Sequence, residues 1–178
     1  MALEEKIKPS REKCEYTSCY CEENLLSPMR TERFLCGGRR RDGGGQPVVW
    51  DYHVVLLQAS SSSVVYDLDS ELPFPCSLKR YSSEALRSER GIRPAYHRKF
   101  RVVPAHSFLL NFASDRSHMK NSDGSWKMPP PLTPPIHTTE SRMNLDDFIS
   151  MRPAYGWGRV FSLEEFLQTH LGGASPSS

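Results

Sequence analysis

The sequence lacks three features that would each have placed it in a class at once. It has no apolar run approaching the roughly 18 residues of a membrane span, which predicts no transmembrane segment. Its N-terminus, Met1-Ala-Leu-Glu-Glu-Lys6, is charged and has no apolar signal core, so secretion is not expected. The 23 lysines and arginines exceed the 21 acidic residues by only two, so no basic field favours a nucleic-acid partner.

Cysteine is scarce, with five residues in a chain of 178. An odd count without a secretion signal favours free thiols over a disulfide framework. Cys14, Cys19 and Cys21 cluster near the N-terminus, but no second Cys/His pair follows at zinc-site spacing. We therefore expect no metal, and we expect the cytosol as the compartment, with the nucleus as an open alternative.

The strongest structural signal is a pair of strands joined by a serine-rich turn. Residues 47–57 and 64–69 are rich in β-branched, aromatic and aliphatic side chains, which favours β-strands. A hairpin symmetric about Ser60 places His53 directly opposite Asp67, on the same face. Such a pair is more often a structural hydrogen bond than a catalytic one. A nucleophile elsewhere in the chain would make it part of a triad.

Cys21 is the candidate nucleophile. Thr17 or Ser18 can begin a helix whose first turn holds Cys21, where the helix dipole favours the thiolate. The neighbouring Glu22 and Glu23 oppose that effect, so the thiol needs a histidine partner. The chain order Cys, His, Asp then fits thiol catalysis, in which histidine takes the thiol proton and aspartate orients the ring.

The rest of the chain predicts one domain over residues 14–170. We expect disorder in the charged residues 1–13 and in the tail 171–178. Residues 27–46 hold five glycines and three consecutive arginines, which indicates an atypical flexible linker. The mixture of strands and helices predicts an α+β fold or a three-layer sandwich. Further elements are expected at 78–90 (helix ended by Gly91), 99–104 (strand), 106–112 (helix), 144–150 (helix N-capped by Asn144) and from Ser162 (helix with a Ser162–Glu165 capping box).

Several longer motifs are more specific than this pattern. They resemble the family of protein N-terminal glutamine amidohydrolases, whose Trp-Asp-Tyr-His-Val signature stands intact at 50–54. The resemblance covers residues 14–26 and about 46–170. The other motifs that carry it are Cys-Glu-Tyr-Thr-Ser-Cys-Tyr-Cys-Glu-Glu-Asn at 14–24, Tyr-Asp-Leu-Asp at 66–69, Leu-Pro-Phe-Pro-Cys at 72–76, Arg-Lys-Phe-Arg-Val at 98–102, Asn-Phe-Ala-Ser-Asp-Arg-Ser-His-Met-Lys at 111–120 and Met-Asn-Leu-Asp-Asp-Phe-Ile-Ser-Met at 143–151.

The resemblance implies hydrolysis of the side-chain amide of an N-terminal glutamine, giving glutamate and ammonia. The product can then be arginylated and enter the N-degron route. The family's triad falls on Cys21, His53 and Asp67, in agreement with the choice made from the residues. The resemblance also implies a papain- or transglutaminase-like core with a mixed, mostly antiparallel sheet flanked by helices, no cofactor, and a monomer that acts on proteins or peptides rather than on nucleic acid or membranes.

A substrate with a free α-ammonium calls for a carboxylate or carbonyl at the end of the pocket. Glu22, Asp51 and Asp115 are candidates, although each can equally be a structural or surface acid. Similar proteins carry a longer segment between the nucleophile and the Trp-Asp-Tyr-His-Val strand. This difference leaves open a splice or gene-model variant that binds Gln-bearing N-termini without turnover. A papain-like peptidase or a transglutaminase-type acyl transferase is the third alternative.

Overall fold

The computed structural model describes residues 10–24, 33–36, 39–41, 47–49 and 52–171. Short helices at Arg11–Lys13, Pro94–Tyr96 and Ser117–Met119 are of the 3-10 type. The α-helices are α1 (Cys21–Asn24), α2 (Leu78–Tyr81), α3 (Ala105–Asn111), α4 (Leu145–Ile149) and α5 (Leu163–Leu171). The strands are β1 (Arg33–Cys36), β2 (Arg39–Arg41), β3 (Pro47–Val49), β4 (Val54–Gln58), β5 (Val64–Tyr66), β6 (Cys76–Ser77), β7 (Lys99–Pro104) and β8 (Arg159–Ser162).

The main sheet has six strands in the order β6-β5-β4-β1-β7-β8, and every neighbouring pair is antiparallel. Strands β2 and β3 form a separate antiparallel pair. Antiparallel strands interspersed with helices confirm the α+β class. The papain- or transglutaminase-like core remains a prediction.

Helices cover both faces of the main sheet. Successive side chains of a strand point to opposite sides, so each strand contributes to the packing on both faces. Val54 and Leu56 of β4 join a buried cluster with residues of α1, α3 and α4. Val55 and Leu57 join a second cluster with residues of α2 and α5. Burial on both sides explains why β4 is an almost continuous apolar run.

The hairpin differs from its prediction in two respects. The expected strand over 47–57 is two strands, β3 and β4, which belong to different sheets. Gln58 pairs with Val64, so the hairpin is centred on Ser61 rather than on Ser60. The connecting loop therefore has five residues. The Ser63 hydroxyl stabilises it by accepting a hydrogen bond from the Ser60 amide and donating one to the Ser60 carbonyl. The register moves by two positions, which leaves each side chain on its predicted face.

The segment 27–46, predicted as a flexible linker, contains strands β1 and β2. Strand β1 lies at the centre of the sheet, where Phe34 pairs with Leu56 of β4 and with Val103 of β7. Hydrogen-bonding partners on both sides stabilise β1 in an extended conformation, although glycines and arginines flank it in the sequence. The domain boundaries 14–170 stay a prediction.

Both predicted disordered ends contain ordered residues. Arg11 donates hydrogen bonds to the carbonyl oxygens of Ser70 (2.8 Å) and Leu72 (3.1 Å), and its guanidinium lies 5.4 Å from the centre of the Phe74 ring. These contacts fix the N-terminal segment against the loop after β5. Helix α5 includes Leu171. Residues 1–9 and 172–178 lie outside the described residues.

The remaining elements largely match the sequence pattern. Strand β7, helix α3 and the capping box between Ser162 and Glu165 are confirmed. The helix predicted over 78–90 is shorter, because α2 continues as a π-helical turn that ends at Leu86, and Arg87 takes φ 57°. None of the described helices has the length and apolarity needed to cross a membrane.

Candidate active site

The structure brings the predicted histidine and aspartate together. His53 Nε2 lies 3.0 Å from Asp67 Oδ1, and both side chains are buried. The Tyr81 hydroxyl donates to Asp67 Oδ2 at 2.8 Å, and the Asp69 amide donates to Oδ1 at 2.9 Å. Burial alone raises the pKa of Asp67. The charge of His53 and these hydrogen bonds outweigh it, so the pKa lies below its ordinary value.

Asp69 is a second carboxylate beside the same histidine, and the sequence analysis did not choose it. Its Oδ2 lies 4.0 Å from His53 Nδ1, and its Oδ1 accepts a hydrogen bond from the Tyr16 hydroxyl at 2.6 Å. The signal was available, because residues two apart on a strand share a face. Ligand atoms of His53, Asp67 and Asp69 lie within 4.8 Å of one another, so this group has the geometry to hold a cation.

Cys21 is the first residue of α1 and is buried. The predicted caps Thr17 and Ser18 lie one turn earlier, in the loop before the helix. The Asn24 side chain closes this loop by accepting from the Thr17 amide (2.7 Å) and donating to the Thr17 carbonyl (2.9 Å). Cys19 takes φ 68° in the same loop and therefore lies outside the helix.

Packing places α1 against the strand that follows His53. Cys21 belongs to the same buried cluster as Val54, and Tyr52 packs against that cluster. The two residues that flank His53 in the chain therefore contact the cluster that holds the thiol. Helix α1 therefore packs against the strand that follows His53, and the assembly of Cys21 with His53 and Asp67 into a triad stays a prediction.

Glu22 is a candidate ammonium ligand that lies beside Cys21. Its side chain is fully buried; Oε2 lies 3.6 Å from Cys21 Sγ and Oε1 lies 3.4 Å from His118 Nε2. The Tyr52 hydroxyl lies 3.4 Å from the same His118 nitrogen. A carboxylate at this position repels a thiolate and attracts a cation.

The other two ammonium candidates differ in their location. Asp51 lies outside the described residues. Asp115 is exposed and lines a separate pocket with Ile136, His137 and Arg142. Hydrogen bonds from Ser117 lower the pKa of Asp115, so its carboxylate is engaged within its own turn. The structure does not bring Asp115 to the triad.

Arg116 is a further residue that sequence reasoning missed, and it fixes α1. Its guanidinium forms a two-pronged ion pair with Glu23, with N–O distances of 2.7 and 2.9 Å. It also donates to the carbonyl oxygens of Pro131, Thr133 and Pro134. The proline-rich segment therefore contributes to holding the helix that carries the thiol.

A cleft of about 930 Å³ opens beside the site. Tyr52 and His118 line it; Tyr52 directly precedes His53, and His118 lies beside the buried Glu22. Cysteine-dependent hydrolases that cleave amides use these residue types: a thiol, here on a helix packed against β4, and a histidine–aspartate pair, here at the start of β4.

Comparison with known proteins gives the family. Residues 29–170, which include His53 and Asp67, match the family model described as N-terminal glutamine amidase. The protein N-terminal glutamine amidohydrolases of Danio rerio and Homo sapiens are 49% and 47% identical to this chain, covering 93% of it in each case and 93% and 91% of their own lengths. The Drosophila melanogaster protein of the same name is 40% identical over 90% of each chain. The chain belongs to the protein N-terminal glutamine amidohydrolase family.

The same alignments show a difference in length. The alignment with the Danio rerio protein spans 189 positions but takes in only 93% of this 178-residue chain. The relative therefore carries residues that this chain lacks. The residues of this chain that lie outside the alignment are too few to extend from its N-terminus to Cys21. Cys21 therefore lies within the aligned part.

Proposed function

We propose that this chain hydrolyses the side-chain amide of an N-terminal glutamine, giving an N-terminal glutamate and ammonia. The observation that carries the proposal is the buried His53–Asp67 contact of 3.0 Å beside the segment that bears Cys21. The names of the relatives supply the substrate class.

The chemistry proceeds through a thioester. His53 takes the proton of Cys21, and the sulfur attacks Cδ of the substrate glutamine. Backbone N–H groups at the start of α1 stabilise the oxyanion. His53 then protonates the departing amide nitrogen, which leaves as ammonia when the C–N bond breaks. His53 then deprotonates a water molecule, which attacks the γ-glutamyl thioester and breaks its C–S bond. The glutamate is released, and His53 gives the proton to the Cys21 sulfur.

Glu22 is the proposed ligand of the substrate α-ammonium. The α-nitrogen of glutamine is four bonds from Cδ, within about 5 Å, which suits a carboxylate whose oxygen lies 3.6 Å from Cys21 Sγ. Pairing with the ammonium also removes the repulsion between Glu22 and a thiolate. Binding of a free N-terminus thus favours the reactive form of the nucleophile.

The proposed setting follows from the product. An N-terminal glutamate is a substrate for arginylation, so the reaction feeds the N-degron route. We place the protein in the cytosol, with access to the nucleus, acting as a monomer on proteins and peptides.

The test is ammonia release from a Gln-initiated peptide, compared with its N-acetylated form and with a peptide whose only glutamine is internal. We expect release from the first peptide alone, since in the other two the glutamine itself carries no α-ammonium for Glu22 to bind. Cys21→Ala should abolish release, because it removes the nucleophile. Cys19→Ser is the matched control and should retain it.

Three results would contradict the proposal. Release that persists in Cys21→Ala would remove the thiol from the mechanism. A cooperatively folded chain that binds the Gln peptide without releasing ammonia would establish the binding-only variant instead. Peptide-bond cleavage or cross-linking to added amines would identify a peptidase or an acyl transferase.

A further inference from the structure

We propose that Asp69, held by Tyr16, is a positioning residue that acts through His53, where its charge stabilises the imidazolium that forms when the ring takes a proton. The inference rests on the proposed function, because it concerns the proton transfers of that reaction. The sequence pattern predicts one carboxylate beside the histidine, whereas the structure has two. The second carboxylate lies on the side of the ring that the proposed proton transfers use.

The two carboxylates lie at different nitrogens of the imidazole ring. Asp67 Oδ1 lies 3.0 Å from His53 Nε2, and Asp69 Oδ2 lies 4.0 Å from Nδ1. An ionised carboxylate can only accept a hydrogen bond, so the Nε2 that is bonded to Asp67 carries a hydrogen. The proton that His53 takes from Cys21 in the proposed mechanism therefore binds at Nδ1, on the side of Asp69.

The charges around the ring favour its protonated form. The side chains of His53, Asp67 and Asp69 are buried, and their nitrogen and oxygen atoms lie within 4.8 Å of one another. Two carboxylates at this separation repel each other, and a positive charge between them removes the repulsion. An opposite charge within about 4–6 Å favours the ionised form of a group, so Asp69 stabilises the imidazolium relative to the neutral ring.

Contacts from two directions hold Asp69 in this orientation. The Tyr16 hydroxyl donates to Asp69 Oδ1 at 2.6 Å, so that Oδ2 is the oxygen on the His53 side. The Asp69 amide donates to Asp67 Oδ1 at 2.9 Å, so one turn of the chain carries both carboxylates. The Arg11 guanidinium donates to carbonyl oxygens of the residues that follow this turn. Asp69 is therefore fixed before the ring is protonated.

The thiol needs this stabilisation because it has an acidic neighbour. Glu22 Oε2 lies 3.6 Å from Cys21 Sγ, and a carboxylate at that distance opposes formation of the thiolate. A histidine that is made more basic by Asp69 offsets this effect. The Tyr16 hydrogen bond also joins the turn that carries the carboxylates to the loop that precedes α1.

Asp69→Asn removes the charge and keeps an oxygen that can accept from Tyr16. We measure the rate of Cys21 alkylation by iodoacetamide from acidic to alkaline pH. At neutral pH the variant should react about ten-fold more slowly, because lowering the pKa of His53 by one unit reduces the thiolate–imidazolium fraction ten-fold. The difference should close above the ordinary thiol pKa of about 8.5, where the thiol ionises without the ring.

Two further variants complete the test. Asp123→Asn is the matched control, because Asp123 is exposed and its carboxylate accepts hydrogen bonds from Ser125 in its own turn. It should leave the pH profile unchanged. Tyr16→Phe changes an exposed residue and should slow alkylation about three-fold at neutral pH, the effect of one hydrogen bond. It should have no further effect in Asp69→Asn, since Tyr16 acts through Asp69.

An unchanged profile in Asp69→Asn, or in Tyr16→Phe where Asp69→Asn does not fold, would overturn the inference. Slower alkylation at every pH would also overturn it, because a displaced thiol reacts slowly whether or not the ring is charged. Alkylation that changes on addition of EDTA would assign the carboxylates to a metal ion instead. The assay needs no substrate, so alkylation that depends on Asp69 without any ammonia release would contradict the proposed function and retain this inference.

Discussion

Asp67 receives contacts from several parts of the chain. Besides His53 and Tyr81, its backbone carbonyl accepts from the Arg11 side chain at 3.3 Å. A carboxylate held by several donors cannot rotate, so it fixes the orientation of the imidazole bonded to it. We therefore regard Tyr81 and Arg11 as positioning residues, which act through Asp67.

The Tyr81→Phe variant removes only the hydroxyl group and therefore tests whether Tyr81 positions Asp67. The change leaves Asp67 Oδ2 without its buried donor, which should lower the free energy of unfolding by roughly 1–3 kcal/mol and reduce kcat/KM. The result is checked by urea unfolding of both proteins and by the ammonia assay.

The difference in free energy of unfolding between wild type and Tyr81→Phe should depend on pH, and the direction of this dependence can be derived. Burial, followed by the charge of Asp67, raises the pKa of Tyr81 above its ordinary 10.0, so its stabilisation is lost as pH rises beyond that value. The pKa of Asp67 lies below its ordinary 3.8, so its stabilisation is lost as pH falls below that value. The gap between wild type and Tyr81→Phe should be widest between these limits. A gap that is constant with pH would contradict the account.

At this scale the sequence predicted the contact between His53 and Asp67 for a partly wrong reason. A strand alternation places His53 and Asp67 on one face whether the hairpin centre is Ser60 or Ser61. Their contact was therefore predictable even though the register was not. The role of Tyr81 was not predictable, because it depends on the packing of α2 against the sheet.

Helix α1 has only four residues, fewer than a helix needs to be stable by itself. Its position depends instead on contacts at both of its sides. Glu23 pairs with the buried Arg116, and Asn24 bonds to Thr17. The Tyr20 hydroxyl donates to the Met128 carbonyl at 3.2 Å. The placement of the thiol thus depends on residues more than ninety positions away.

Arg116→Ala should therefore lower the free energy of unfolding by roughly 3–5 kcal/mol, because it leaves Glu23 buried without its charge partner. Arg80→Ala is the control. Arg80 forms an equally short ion pair of 2.7 Å with Glu84, but the pair is exposed and should contribute less than about 1 kcal/mol. Chemical denaturation measures both. Equal costs would show that the Arg116 pair does not anchor α1.

The elements show where sequence patterns stop being informative. The capping box at Ser162 is local, so it could be predicted and is confirmed. Asn144 occupies the N-cap position of α4, but its side chain instead bonds to Asn111 and Ala113 of the α3 end. A local motif identifies a good capping residue and cannot reveal a better tertiary partner.

The whole sheet depends on a strand that local sequence does not identify. Strand β1 joins the β6-β5-β4 half, which carries the histidine and aspartate, to the β7-β8 half. It is short, contains an arginine and lies among glycines and arginines, so its composition indicates a loop. Only the two flanking strands, which come later in the chain, select the extended conformation.

The central claim is that His53 activates Cys21, and alkylation of Cys21 by iodoacetamide at neutral pH tests it without a substrate. Mass spectrometry of the digested chain gives the rates at Cys21 and, as an internal reference, at the more exposed Cys19. We expect Cys21 to react about ten-fold faster than Cys19, because a thiolate is the reactive form. We also expect the difference to vanish in His53→Ala and a Gln-initiated peptide to protect Cys21. Equal rates in wild type, or a fast Cys21 in His53→Ala, would contradict the account.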